Sequence, residues 1–192
     1  PESVSQPEYI SVNSAIDFSH VRLELSDLPT GFSEMSEEEM AQYGFDSKSL
    51  LAAISSSLAK AEPQNPAVFV KPGITDTTIV MSFLIQPLTT IEKGAFDLLA
   101  RNPQQAVTML SNAAEDLTFT PQTEIESIGD ATMGVLFTSK QPTIPLAGNL
   151  VIYRRDQVVQ ISMIAYMQGG NPAISATEIA RIMDSKIKAL LE

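Results

Sequence analysis

Apolar residues recur along this chain at two spacings, and each spacing predicts a different kind of element. Val21, Leu23 and Leu25 alternate with Arg22 and Glu24, which is typical of a half-buried β-strand. Other short runs are rich in β-branched and aromatic residues, which strands favour. The strands predicted from these runs lie near residues 67–70, 77–86, 118–128, 132–138, 149–155 and 158–166, and a short one begins at Phe32.

Helical patterns lie between these runs, and the first two come early in the chain. Ser36 and Glu39 have the spacing of a capping box, which opens a short acidic helix. Asp46 can cap a second helix. The apolar face of that helix is formed by Leu50, Leu51, Ile54 and Leu58.

Three more helices are predicted further on. Thr89 or Thr90 caps a helix that runs to about Arg101, and Asn102-Pro103 starts the next one. A second capping box, Ser175 with Glu178, opens the terminal helix. Its apolar stripe consists of Ile179, Ile182, Met183, Ile187 and Leu190.

The order of these elements predicts the fold class. Helices come in groups and do not alternate strictly with strands, which argues against a doubly wound parallel sheet. Consecutive late strands have short links such as Asp156-Gln157, so they should pair antiparallel. We expect an α+β fold, an antiparallel β-sheet of about six to eight strands flanked by helices. Residues 1–15 are expected to be a flexible linker, and residues 16–192 a single domain.

Composition and charge exclude or disfavour several classes of function. The chain of 192 residues has no cysteine, which excludes thiolate catalysis, thiolate metal sites and disulfides. Its net charge of −11 disfavours binding to nucleic acid. The apolar runs are strand-length, so no transmembrane segment is expected. Without heptads or a long apolar stripe, we expect a monomeric or weakly associating protein.

Candidate catalytic side chains do not form a recognisable set. His20 is the only histidine, and its sequence neighbours on a strand would point to opposite faces. Glu124 and Glu126 are expected on one solvated strand face, with Asp130 in a turn. We therefore assign no catalytic, cofactor-binding or metal-binding residue and no cofactor, and surface carboxylates that bind a cation stay an open alternative.

Two short motifs also receive a structural interpretation and no functional one. Gly169-Gly170 lies between a strand and a helix without a phosphate-loop pattern, so a plain connection is favoured over an anion site. Arg154-Arg155 supplies too few charges for a nucleic-acid surface and is interpreted as an ordinary hairpin tip.

Two stretches resemble a known family. Residues 23–32, Leu-Glu-Leu-Ser-Asp-Leu-Pro-Thr-Gly-Phe, resemble the opening of exported bacterial domains. Ile128-Gly129-Asp130-Ala131, the hairpin at Arg154-Arg155 and the terminal helix resemble the second half of PsbP/Mog1-like proteins. The resemblance implies a central antiparallel sheet flanked by helices, and it carries over no binding residue.

These observations leave three functional hypotheses. The first is an exported or membrane-tethered domain that acts by protein–protein contact. The polar, proline-containing residues 1–8 favour export, with or without a lipid anchor upstream, over a cytoplasmic location. The alternative is a small-ligand-binding module with a pocket between sheet and helices. The third is a hydrolase that works through carboxylates.

Overall fold

A computed structural model describes most of the chain. The described residues are 16–36, 39, 63–73, 76–86, 88–140 and 145–192. The predicted linker at 1–15 and the predicted helix with Leu50, Leu51, Ile54 and Leu58 lie outside these residues.

The described part of the chain forms one antiparallel sheet of seven strands, so the predicted α+β fold is confirmed. The spatial order is β1-β2-β3-β7-β6-β5-β4, and the last strand in sequence therefore lies between the early and the late strands. The strands are β1 (Ser33–Glu34), β2 (Gln64–Lys71), β3 (Thr78–Ile85), β4 (Leu117–Gln122), β5 (Ala131–Ser139), β6 (Leu146–Arg155) and β7 (Val158–Met167).

Three α-helices among the described residues pack on this sheet: α1 (Thr90–Arg101), α2 (Pro103–Ala113) and α3 (Ala176–Leu191). The predicted cap at Thr89 and the predicted capping box at Ser175 are confirmed here: their side chains accept from the backbone N–H groups of Glu92 and Glu178. In the other predicted capping box Ser36 Oγ accepts from Glu39 N at 3.3 Å, and the short acidic helix that it should open lies largely outside the described residues. Each pair satisfies backbone donors that a helix start leaves unpaired, which fixes where the helix begins.

Both faces of the sheet are covered. Alternate side chains of β3 point to opposite faces, and all eight of its positions are buried. Ile79 and Met81 pack in the cluster that contains residues of α1 and α2. Val80 and Leu84 pack in the cluster that contains residues of α3 and the segment 16–32. The sheet is thus the middle layer of three, which explains why its central strands are almost continuously apolar.

The segment before β1 differs from the sequence prediction. Val21 and Leu23 are buried, but the segment forms no strand; a 3₁₀ turn follows at Leu25–Asp27. Its carbonyl groups are bound by a side chain instead of a neighbouring strand: Asn65 Nδ2 donates to the backbone oxygens of Phe18 (2.7 Å) and Val21 (3.1 Å). Alternating apolar residues here mark an extended covering segment.

A proline protects the β4 edge of the sheet. Lys140 N donates to the Asp116 oxygen, so the backbone alternation of β4 directs the amide position of Pro121 away from β5. Because proline has no N–H, this edge lacks a donor where another strand would pair.

The terminal helix confirms most of its predicted stripe. Ile179, Met183 and Ile187 are buried against the sheet. Ile182 is only half-buried, and Leu190 is 43% exposed, so the prediction was wrong for Leu190. Two small residues, Ala176 and Ala180, complete the buried face.

Candidate functional site

The turn between β6 and β7 organises a cluster of charged side chains. Asp156 adopts a left-handed conformation (φ 49°), which makes this two-residue hairpin possible. The oxygen of Gln157 accepts from Leu88 N at 2.9 Å, which ties the turn to the chain just before α1. Arg154 and Arg155 lie directly before the turn and point to opposite faces of the sheet, as neighbours on a strand must.

Arg154 holds α1 in place. Its Nε and Nη2 atoms donate to the two carboxylate oxygens of Asp97 at 2.9 and 3.1 Å. Its Nη1 atom donates to Asp130 Oδ2 and to the backbone oxygen of Asp156, each at 2.9 Å. The guanidinium group is largely buried, so these bonds replace the water that it has lost.

Arg155 holds α3 in place on the other face. Its Nε and Nη2 atoms donate to the carboxylate of Asp184, which is itself buried in α3. The hydrogen bond to this carboxylate raises the pKa of Arg155. Lys188 Nζ lies 3.5 Å from the same carboxylate.

Asp130 lies between the two arginines. Its Oδ2 atom also accepts from Asp156 N at 2.7 Å, and its own N–H donates to the Arg154 oxygen at 2.7 Å. Its Oδ1 atom is 4.0 Å from Arg155 Nη1. Gly129 precedes it with φ 69°, and a Cβ there would lie 2.4 Å from the Arg154 oxygen. Only glycine fits this approach.

The interpretation of Arg154-Arg155 as an ordinary hairpin tip therefore needs correction. The arginines adjoin a hairpin, but each is paired with a carboxylate of a helix, and the helices lie on opposite faces. This arrangement is a structural clamp. The carboxylates of Asp97 and Asp130 both bind Arg154, which occupies the oxygens that an acid–base pair would need.

The outer surface of α1 is unusually apolar. Ile91 is 84% exposed and Leu98 is 61% exposed, and their seven-residue spacing places them on one face of the helix. Gly94 and Ala95 are exposed between them. We call these four residues the α1 stripe.

Three of the four charged residues of α1 have partners within the protein, and the fourth, Arg101 in its last turn, is exposed. Lys93 Nζ lies 2.8 Å from Asp156 Oδ1, and Asp97 binds Arg154. Glu92 takes part in the capping box with Thr89. The following helix, α2, contains no charged residue. The outer surface formed by α1 and α2 therefore offers apolar and amide groups more than charges.

A second group of polar side chains lies inside the protein, between the sheet and α3. Gln160 Nε2 is 3.0 Å from Ser82 Oγ and 2.9 Å from Ser162 Oγ, and all three side chains are buried. Ser162 Oγ is also 3.1 Å from Gln160 Oε1. Because these groups satisfy one another, they offer little to a ligand in that layer. The sequence shows them only as polar interruptions in apolar strands.

Tyr153 differs from these mutually bonded groups. Its side chain is fully buried, and its hydroxyl has no hydrogen-bond partner among the described residues. Burial and the nearby Asp184 carboxylate raise the pKa of this hydroxyl. Gln122 Oε1 and Asn149 Oδ1 are also buried without a hydrogen-bond partner among the described residues.

The polar residues considered as catalytic candidates in the sequence do not come together in one site. His20 is exposed. Glu124 and Glu126 lie in the loop after β4 and not on a strand, and Glu126 binds Arg181 of α3. Arg181 lowers the pKa of the Glu126 carboxyl through this hydrogen bond.

The connection at Gly169-Gly170 forms a turn in which Gly169 has φ 85°. At the start of α3 the carboxylate of Glu178 already accepts from Ser175 N at 2.8 Å. That carboxylate occupies the position of a bound anion, so the plain connection agrees with the geometry.

The described residues hold no group of three or more histidine, cysteine, aspartate or glutamate side chains arranged to bind a metal ion. None of their helices combines the length and apolarity needed to cross a bilayer.

Comparison of the sequence with protein-family models and with curated proteins, and of the fold with solved structures, finds no match. The resemblance to PsbP/Mog1-like proteins therefore stays a prediction.

Proposed function

We propose that this protein is a non-catalytic domain that acts by protein–protein contact, and that the α1 stripe is its contact surface. The observation that carries the proposal is the exposure of Ile91 and Leu98 on one face of a helix. Contiguous exposed apolar surface of this kind marks interaction sites, whereas single exposed apolar residues are common on any protein. Leu25 and Leu190 belong to the second type, because each is exposed outside such a stripe.

The clamp supports the same proposal. Asp97 lies on α1 between the stripe and the sheet, and Arg154 holds it with two hydrogen bonds. The hairpin also binds α1 through Lys93 and Asp156. A helix fixed at these points presents its outer side chains in one orientation, which reduces the entropy lost on binding.

Site-specific photo-crosslinking in the source organism tests this proposal. A photoreactive residue in place of Ala95 should form a discrete adduct with another protein molecule, and the matched control at exposed Ser185 of α3 should not. Adding Leu98→Ser should abolish the adduct, because it removes an apolar side chain and leaves the fold intact. Equal labelling at Ala95 and Ser185, or labelling that survives Leu98→Ser, would contradict the proposal.

Location is part of the proposal. The composition of residues 1–8, Pro-Glu-Ser-Val-Ser-Gln-Pro-Glu, supports an exported or membrane-tethered domain. Fractionation of the source cells tests it: the proposal requires the protein in the envelope or an exported compartment, and recovery in the cytoplasmic fraction would contradict it.

A further inference from the structure

The segment before β1 is attached to the sheet without strand pairing. We call residues 16–24 the strap; its side chains Phe18, Val21 and Leu23 are buried against one face of the sheet. No strap residue belongs to a strand, and the backbone–backbone hydrogen bonds described for the strap stay within residues 16–28, as from Val21 N to the Phe18 oxygen at 2.9 Å. The strap can therefore leave the sheet without breaking a backbone ladder.

Side chains make the polar attachments of the strap. Asn65 Nδ2 of β2 donates to two strap carbonyl oxygens at 2.7 and 3.1 Å. Lys186 Nζ of α3 donates to the Arg22 oxygen at 3.0 Å and lies 4.0 Å from Glu24 Oε2. Arg22 Nη2 also meets Glu34 Oε1 of β1 at 3.4 Å, but both side chains are exposed, so this ion pair contributes little. Among the described residues, Asn65 and Lys186 therefore bind the strap backbone where a neighbouring strand would otherwise do so.

The central strands of the sheet are held in a different way. β3 pairs with β2 on one side and with β7 on the other, where all eight of its residues are in register. Ordering the strap costs backbone entropy at each residue, and three buried apolar side chains with a few hydrogen bonds offset that cost. Local openings have free energies that range from near zero up to that of global unfolding. The strap has no ladder and lies at one end of the described chain, so it belongs to the low end of this range.

We propose that the strap opens and recloses while the sheet stays folded. Its opening uncovers apolar side chains of the same cluster on the sheet and on α3, among them Phe69, Val80 and Ile187. This surface lies on the face opposite α1, so it is separate from the α1 stripe, and the inference does not rest on the proposed function. The strap is thus a conformational device that makes a second apolar surface available only in the open state.

Labelling of single cysteines tests the opening, because the chain has no cysteine of its own. Val21→Cys and Val159→Cys are matched substitutions at buried valines of the strap and of β7. A thiol reagent should label Val21→Cys at least about tenfold faster, at a rate that hardly changes with urea below the unfolding transition, because a local opening exposes little surface. Labelling of Val159→Cys should rise steeply with urea, because it requires global unfolding. Equal rates with the same urea dependence overturn the proposal.

The attachment at Lys186 provides a second contrast. Lys186→Met removes the hydrogen bond to the Arg22 oxygen and keeps an unbranched side chain. It should therefore raise the labelling rate of Val21→Cys several-fold, and by more than that of Val159→Cys. An equal change at both positions would mean that the strap opens only with the whole domain, which overturns the proposal.

Proteolysis of the unmodified protein gives a readout that replaces no buried residue. Trypsin can cleave after Arg22 only when the strap is open, because Val21 and Leu23 on either side are buried. Arg181 is an exposed control in α3, next to buried Ala180. Without urea, initial cleavage after Arg22 should be at least about tenfold faster than after Arg181, since it follows the population of the open strap. Cleavage after Arg22 that is no faster overturns the proposal.

Discussion

Arg154 and Arg155 are consecutive in sequence, and they bind helices on opposite faces of the sheet. Arg154 binds Asp97 of α1, and Arg155 binds Asp184 of α3. Asp130 lies within 2.9 Å of the first guanidinium and 4.0 Å of the second. Because neighbouring side chains on a strand point to opposite faces, these two adjacent arginines connect the sheet to the helices on both of its sides.

Loss of one member of the Arg155–Asp184 pair should cost more than loss of both. Arg155→Leu leaves the Asp184 carboxylate buried with only Lys188 nearby, so unfolding free energy should fall by about 2–4 kcal/mol. The double variant Arg155→Leu/Asp184→Leu leaves no uncompensated charge and should be more stable than Arg155→Leu. Urea denaturation of Arg155→Leu, Asp184→Leu and the double variant measures this coupling, and strictly additive costs would mean that the pair does not act as a unit.

Tyr153→Phe should leave the stability at neutral pH unchanged or raise it slightly. The hydroxyl is buried without a partner among the described residues, so its removal abolishes a desolvation cost and no hydrogen bond. Gln160→Met is the contrasting change: it leaves Ser82 and Ser162 without their amide partner and should cost about 1–3 kcal/mol. If Tyr153→Phe costs as much as Gln160→Met in urea melts, the hydroxyl has a partner.

The same tyrosine predicts a loss of stability at alkaline pH. Its folded pKa is raised above the ordinary value of 10.0, so the folded protein keeps a proton that the unfolded chain releases above pH 10. Stability from this group is present below pH 10 and falls as pH rises further. Unfolding free energies measured across this range should fall less steeply for Tyr153→Phe than for the unmodified protein, and parallel curves would contradict the assignment.

Two apolar residues of α3 should respond differently to truncation. Ile187 is fully buried, and Ile187→Ala should cost about 2–5 kcal/mol through lost transfer energy and the remaining cavity. Leu190 belongs to the same predicted stripe but is exposed, and Leu190→Ala should change stability by less than about 0.5 kcal/mol. Thermal or urea melts that place the two costs within error of each other would mean that α3 does not pack as described.

The sequence was most informative where local chemistry decides structure. The capping boxes at Thr89 and Ser175 locate two helix starts because side-chain and backbone partners lie three residues apart. The short link at Asp156-Gln157 likewise predicts an antiparallel hairpin. These signals, with the grouping of helices, were enough to predict an α+β fold with an antiparallel sheet.

Features that depend on distant residues could not be predicted in the same way. The alternation at Val21 and Leu23 indicates one buried side but not what covers it, and Asn65 supplies the partners that a strand would have supplied. Arg154 and Arg155 acquire their roles from Asp97 and Asp184, 57 and 29 residues away. Nothing in the local sequence distinguishes the exposed Ile91 and Leu98 from residues that pack inward.

Radical footprinting in intact source cells measures the exposure of the α1 stripe most directly. Oxidation of Ile91 and Leu98 is compared between cells and dilute purified protein, with exposed Leu25 and Leu190 as internal references. A contact surface predicts that Ile91 and Leu98 are protected several-fold in cells while the two references are unchanged. Equal reactivity of all four residues in cells and in dilute solution would contradict the assignment of the α1 stripe as the contact surface.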